Sequence, residues 1–259
     1  MEDNKQFGGL DYFKVIAALL VVAIHTAPLS IVNDTIDFLF TGILARIAVP
    51  FFLMTTGYFL LPPYLFEKSC DYRSLWRFIK KTLLLYGIAV IIYLPINIYA
   101  GQLQGISFFA FLRMLIFDGT FYHLWYLPAS ILGVLLLVFA GRKFPFKVVF
   151  IVSLIFYGFG LIGDSYYGFI SNDSILDTIY QFMFQVFSYT RNGIFYAPVF
   201  LAMGVGIRGK YKFRHVADIT CGFIISVSLM IFEGLTLNYL GVQRHNSMYI
   251  ALLPTMFFL

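Results

Sequence analysis

Charged residues are scarce in this chain. They make up 12% of its 259 residues, whereas a soluble globular domain carries about 25%. Hydrophobic residues account for 60% and aromatic residues for 20%. Because so few charges cannot cover a water-facing surface, the composition argues against a soluble enzyme, a disordered chain and a nucleic-acid-binding protein.

The chain has only two cysteines, and the common motifs of soluble enzymes are missing. Cys70 and Cys221 make neither a disulfide framework nor a zinc pattern. The sequence has no Walker loop, no G-x-S-x-G elbow and no H-E-x-x-H motif. No linker or internal repeat divides it. We therefore expect one domain over residues 1–259, with no metal site and no bound cofactor.

Long apolar runs are what the chain has in place of charge. A helix needs roughly 20 apolar residues to cross a bilayer. Segment 106–117 is too short to span and is predicted to be interfacial or re-entrant, and the amphipathic segment 175–190 is predicted to lie in the interface. The sequence predicts an all-α polytopic transmembrane helix bundle with about eight spans, the last of which appears truncated. The runs are 12–31, 36–61, 76–100, 123–140, 147–163, 193–207, 216–237 and 248–259.

The basic residues predict how the bundle is oriented. A cytoplasmic N-terminus places fourteen of the 18 Lys and Arg residues in cytoplasmic segments and three in external ones. Loops rich in Lys and Arg stay on the cytoplasmic side of a membrane. We therefore predict a multi-pass protein of the cell membrane whose N-terminus is inside.

Two ionisable side chains on the first span share one face. Lys14 and His25 are eleven residues apart, which is only ~20° beyond three full helical turns. Asp11 lies three residues before Lys14 and can pair with it. A buried histidine is either a packing residue bonded to a neighbouring helix or the lining of a polar cavity, where a neutral imidazole acts as a base.

The basic residues of the next two spans can each be interpreted in two ways. Arg46 lies deep in the second span and needs an internal partner, and Pro50 frees its carbonyl and predicts a kink. The kink is either purely structural or part of a cavity wall. Arg77, Lys80 and Lys81 open the third span; they either mark topology by meeting lipid phosphate or hold the phosphates of a soluble donor.

Three further ionisable residues lie at or inside the predicted membrane. His123 opens the fourth span, and Arg191 opens the sixth. Glu233 lies within the seventh span and has no partner nearby in the sequence. Such groups usually line a cavity or pair with one another. We treat all three as candidate cavity residues.

Five separated motifs then resemble the acyltransferase-3 family of integral membrane proteins. The resemblance runs from about Leu10 to the chain end, and the motifs occur in the family's order. They are LDYFKVIAALLVVAIH, RIAVPFFLMTTGYFL, RFIKK, HLWYLPA and RNGIFYAPVFLAMG.

The resemblance implies a fold of about ten spans and an O-acyl transfer reaction. It implies that His25 is the essential histidine and that acyl-CoA is the cytoplasmic donor for an extracytoplasmic hydroxyl acceptor. Lys14 stands where the family usually has arginine, and Lys80 replaces the second arginine of its Arg-x-x-Arg pair. Lysine keeps the charge but lacks the planar, bidentate guanidinium.

Two stretches are similar to a subgroup of this family, the membrane half of vancomycin-resistance serine racemases. They are YFKVIAALLVVAIHTAPL and RHNSMYIALLPTMFFL. The similarity implies that a racemase domain follows in the parent protein, and that the membrane is a bacterial cytoplasmic membrane.

The subgroup leaves two alternatives to acyl transfer open. In the first, the bundle transports L-serine: Arg46 or Arg191 binds its carboxylate, and Glu233 or Asp11 binds its ammonium group. In the second, the bundle is a non-catalytic membrane anchor for the domain that follows.

Overall fold

The computed structural model describes residues 8–120, 124–170, 174–210 and 215–259, and these ranges contain helices and no strands. This agrees with the predicted all-α bundle. The helices are α1 (Gly8–Thr26), α2 (Asp34–Asp37), α3 (Ala48–Leu60), α4 (Pro62–Leu65), α5 (Arg73–Tyr99), α6 (Phe108–Arg113), α7 (Tyr126–Lys143), α8 (Phe146–Gly163), α9 (Ile175–Val186), α10 (Ala197–Lys210), α11 (Val216–Leu240) and α12 (Leu252–Phe258).

Six of the eight predicted runs form helical segments long and apolar enough to cross a bilayer. The other two are shorter: α10 has 14 residues and α12 has seven. The count of about eight spans is therefore six full-length candidates and two short helices in the described part of the chain. The six candidates are Gly8–Thr26, Asp34–Leu60, Arg73–Tyr99, Tyr126–Lys143, Phe146–Gly163 and Val216–Leu240.

The second span is not a uniform α-helix. A π-helical segment (Phe38–Ile43) and a 3-10 turn (Leu44–Ile47) lie between α2 and α3. The 3-10 turn ends three residues before Pro50, whose missing N–H and ring disturb the preceding turn. The sequence predicted a local kink here, and the structure shows irregular helix over two successive segments of six and four residues. Irregular turns of this kind often occur at functional sites.

The two segments predicted to lie in the interface form short helices. Segment 106–117 contains α6 and a π-helical turn, and segment 175–190 contains α9. Ser107 and Ser174 cap these helices by accepting hydrogen bonds from Ala110 and Asp177. Both are too short to cross a bilayer.

The core of the bundle is α10, which packs against α3, α7 and α8. Its residues from Ala197 to Val205 are buried. By contrast, α1, α5 and α11 expose many large apolar side chains, among them Leu19, Leu84 and Phe232. Apolar side chains on the outside and tight packing inside are expected of a bundle surrounded by lipid.

Two glycines let α3 and α10 approach closely. A Cβ on Gly57 would overlap the carbonyl of Leu201, and a Cβ on Gly204 would overlap the carbonyl of Met54. Backbone cannot move aside as a flexible side chain can. Small residues at helix crossings are the usual means of close packing in membranes.

We expect Gly57→Ala and Gly204→Ala each to lower the free energy of unfolding by about 1–3 kcal/mol, the usual cost of overpacking. Gly87→Ala on α5 is the matched control, because a Cβ there meets nothing within 4 Å. Thermal unfolding of the detergent-purified protein measures the effect. Equal stabilities of all three variants would contradict the close packing of α3 and α10.

Candidate functional site

His25, Arg46 and Arg191 line one small cavity. It lies at the end of the bundle where α1 ends and α7 and α10 begin, which we call the outer end because the positive-inside rule assigns it to the outside. Its volume is about 30 Å³. We call it the polar cavity, and its walls are Val21, Ile24, His25, Arg46, Val49, Trp125, Arg191, Tyr196 and Ser247.

His25 is carried to this cavity by the last turn of α1. The residue is exposed, while Trp125 and Tyr196 on the other side are buried. The imidazole thus lies between the surroundings of the bundle and a wall containing two guanidinium groups. A general base must come within hydrogen-bond reach of the proton that it accepts, and this position leaves the imidazole accessible to a ligand.

Arg46 has the internal partner that its depth requires. Its Nη2 donates a hydrogen bond of 2.7 Å to Oδ1 of Asn246, and its Nε donates one of 3.4 Å to the carbonyl of Gly42. The irregular 3-10 turn before α3 holds the guanidinium in this place. The sequence predicted that Arg46 has an internal partner. It did not identify Asn246, because that residue is 200 positions further along the chain.

Arg191 is almost completely buried, with 3% of its surface exposed. Its Nη1 donates to Oγ of Ser247 at 3.2 Å. Its guanidinium lies 4.4 Å from the ring centre of Tyr189 and 5.5 Å from that of Trp125. Aromatic faces attract cations, and the attraction is stronger where water is excluded.

Asp164 holds the loop that supplies Asn246 and Ser247, and the sequence analysis missed it. Its Oδ1 accepts hydrogen bonds from the backbone N–H groups of Ser247 at 2.7 Å and Met248 at 3.1 Å. Its carbonyl accepts two more, from Arg244 and His245. Its position directly after the apolar run of α8 was the available signal. Burial raises its pKa.

Lys14 and Asp11 form the expected ion pair, with Nζ 2.8 Å from Oδ1. The pair lies in the first half of α1, toward the end opposite to His25. The Asp11 side chain is largely exposed, and the Lys14 side chain is half-buried. Lys14 and His25 therefore belong to opposite halves of one helix, as the sequence predicted, and do not meet.

A second, larger cavity lies along α1 in the half that contains Lys14. Its volume is about 510 Å³ and its lining is mostly apolar. Leu10 and Phe13 of α1, Phe51 and Met54 of α3, and Ile207 of α10 contribute to it. We call it the apolar cavity. It and the polar cavity follow the same seam between α1 and α3.

Arg77, Lys80 and Lys81 are exposed on α5, which packs against α7. The ammonium group of Lys80 lies 5.5 Å from the ring of Trp76. None of the three lines the polar cavity or the apolar cavity. The structure thus keeps this cluster at the surface of the bundle.

Glu233 lies apart from the polar cavity. Its carboxylate accepts hydrogen bonds from Tyr166 Oη at 2.7 Å and from the backbone N–H groups of Ile250 and Ala251 at 2.6 and 2.8 Å. It thereby stabilises the start of α12. The structure does not bring it together with Arg46 or with Asp11.

His123 lies outside the described residues. Within the described ranges, no group of three or more His, Cys, Asp and Glu side chains is placed to hold a metal ion.

Fold and site together define a polytopic membrane protein with a histidine- and arginine-lined cavity at one end. Residues 7–259 match the family described as an acyltransferase domain, so the chain belongs to the acyltransferase-3 family. No solved structure matches it.

Three relatives carry the names of racemases. An amino-acid racemase of Enterococcus faecalis is 43% identical over 98% of this chain, and a serine/alanine racemase of Enterococcus gallinarum is 38% identical over 97%. A second amino-acid racemase of Enterococcus faecalis is 36% identical over 94%. The chain spans about a third of the length of these relatives: 35%, 36% and 35% respectively.

His245 lies in the loop between α11 and α12. It is partly buried, and its ring lies 4.6 Å from that of Tyr189. Burial, followed by the charges of Arg244, Arg191 and Arg46, lowers the pKa of His245 to about 4.

This depressed pKa predicts a loss of stability in acid. The unfolded chain binds a proton at His245 near pH 6.5, and the folded chain only near pH 4, so the free energy of unfolding falls as the pH drops through this window. Replacing the side chain by His245→Gln should flatten this dependence in thermal unfolding measured from pH 7 to 4. The exposed His215 supplies the control, since His215→Gln should keep the wild-type slope. An unchanged slope in H245Q would contradict the assigned pKa.

Proposed function

We propose that this membrane acyltransferase-family domain moves an acyl group from a cytoplasmic activated donor, such as acyl-CoA, to a hydroxyl group of an extracytoplasmic acceptor. The observation that carries the proposal is the polar cavity, in which His25 faces Arg46 and Arg191. Family membership supports acyl transfer, and the position of His25 supports its role as the base.

The chemistry requires one base and one cationic group. Neutral His25 accepts the proton of the acceptor hydroxyl, and the oxygen forms a bond to the donor's carbonyl carbon. Arg46 or Arg191 stabilises the oxyanion. The carbon–sulfur bond of the thioester then breaks, and the leaving thiolate takes the proton from the imidazolium. Such proton transfer contributes typically 10²–10⁴-fold to a rate.

The donor side of the proposal uses the seam between α1 and α3. The donor enters along the apolar cavity, its acyl end reaches along the seam toward His25, and Lys14 lies on the same helix. Arg77, Lys80 and Lys81 bind donor phosphates at the membrane surface in this proposal. Because none of the three lines the seam, they contact the donor at the cytoplasmic surface and are not part of the reaction site.

A second candidate function is transport of an amino acid such as L-serine. The relatives favour it, because they are named amino-acid and serine/alanine racemases and this chain matches about a third of each. In that case the parent protein carries a racemase domain, and the bundle supplies its substrate across a bacterial cytoplasmic membrane. A bundle that only anchors the racemase is the remaining alternative.

Replacing His25 separates these functions. In His25→Ala of the full-length protein, acyl transfer should fall at least a hundredfold, because the base is lost. Acylated surface product and radiolabelled L-serine uptake are measured in the same cells. His215→Ala, at the opposite end of the bundle, is the matched control and should change neither.

The outcomes are distinct. Loss of acylated product with normal uptake supports acyl transfer. Loss of uptake with no change in acylation supports transport. If neither changes and the variant is present in the membrane at the wild-type level, His25 is a packing residue and the proposal fails.

A further inference from the structure

A third cavity opens at the outer end, beside the end of α5. Its volume is about 410 Å³, and it is distinct from the polar and apolar cavities. We call it the outer cleft. The residues that matter in its lining are Asn97, Gln102, Arg113, Asp118, Ser188 and Tyr189.

The outer cleft contains one cation and one anion, each held in place. Nε of Arg113 lies 3.5 Å from Oδ2 of Asp118, and Nη1 of Arg113 donates to the carbonyl of Gln185 at 3.2 Å. Asp118 is 8% exposed, and its Oδ1 accepts a hydrogen bond from the N–H of Ser188 at 3.1 Å. A direct charge-assisted bond is usually 2.7–2.9 Å long, so this pair is loose and both groups can accept a further partner.

Asn97 adds a buried acceptor. It is 3% exposed, and its Nδ2 donates to the carbonyl of Thr120 at 3.0 Å. Within the described ranges its Oδ1 has no hydrogen-bond partner. A buried acceptor without a donor is costly, which favours a ligand that brings an N–H or O–H group.

The charges of the three cavities described here differ. The polar cavity has cationic side chains and the apolar cavity has none, whereas the outer cleft has both signs. The acids that the sequence offered for an ammonium group, Asp11 and Glu233, are bound elsewhere. Among these three cavities, only the outer cleft has the charges that match a ligand with a carboxylate and an ammonium group close together.

We propose that the outer cleft binds a small α-amino acid, with its carboxylate on Arg113 and its ammonium group on Asp118 and Oδ1 of Asn97. This inference rests on the second proposed function, transport of an amino acid, and adds the site that binds the amino acid. Tyr189 lines the cleft and stacks on Arg191, which lines the polar cavity. The bound amino acid therefore lies next to the wall of the polar cavity that contains Arg191.

Protection of an introduced cysteine tests the site without requiring transport. Gln102→Cys is made in the full-length protein with Cys70 and Cys221 replaced by serine, and intact cells are treated with a membrane-impermeant maleimide. External L-serine should slow labelling of this cysteine. Serine methyl ester, which lacks the carboxylate, and N-acetylserine, which lacks the ammonium group, should each need about tenfold or more higher concentrations.

Two variants test which residue of the cleft binds which charged group of the ligand. Arg113→Gln should weaken protection by L-serine about tenfold or more and abolish the preference over the methyl ester. Asp118→Asn should abolish the preference over N-acetylserine. Arg142→Gln, on an exposed arginine at the opposite end, should leave all three compounds unchanged.

Several results would overturn the site. No labelling from outside would show that the cleft does not open outward. Labelling without protection, or equal protection by L-serine and a neutral sugar, would exclude a zwitterion site. The wild-type comparison of the three serine compounds needs no substitution at Arg113 or Asp118, so it decides the matter even if a variant fails to fold.

Uptake of radiolabelled L-serine by the same cells separates this inference from the transport function. Selective protection without uptake retains the site and rejects transport. If uptake depends on the serine concentration in the same way in the wild type, in Arg113→Gln and in Asp118→Asn, the transport function is retained and the site is rejected.

Discussion

Two guanidinium groups within an apolar bundle determine how the outer end is built. Arg46 and Arg191 are far from the basic surface of the opposite end, and each must be given polar or aromatic partners. The loop before α12 provides Asn246 and Ser247 for this purpose. Asp164 binds the backbone of that loop and so fixes both partners in place.

The same arrangement forms the candidate functional site. The loop closes the polar cavity against the ends of α1, α7 and α10, and the irregular turn before α3 directs Arg46 into it. The buried α10 provides a rigid support, because Gly57 and Gly204 allow α3 to pack directly on its backbone. By contrast, α1 has little buried surface, so its histidine lies at the edge of the rigid core, where a ligand can reach it.

Local patterns predicted much of this molecule correctly. Apolar run length located the six long spans, and the spacing of Asp11 and Lys14 predicted their ion pair. Pro50 marked the break in the second span. The depth of Arg46 predicted an internal partner. Each of these inferences concerns residues within a few helical turns, where the geometry follows from the helix itself.

What the sequence by itself determined is that this chain is a multi-helix membrane protein of the acyltransferase-3 family whose first helix carries Lys14 and His25 on one face. Only the tertiary structure decided that Glu233 supports α12, that Arg46 bonds to Asn246, and that Arg113 and Asp118 share a cleft with Asn97. The reason is physical: run length and helical periodicity are properties of neighbouring residues, whereas the partner of a buried charge depends on which distant segments the packing of α10 brings together.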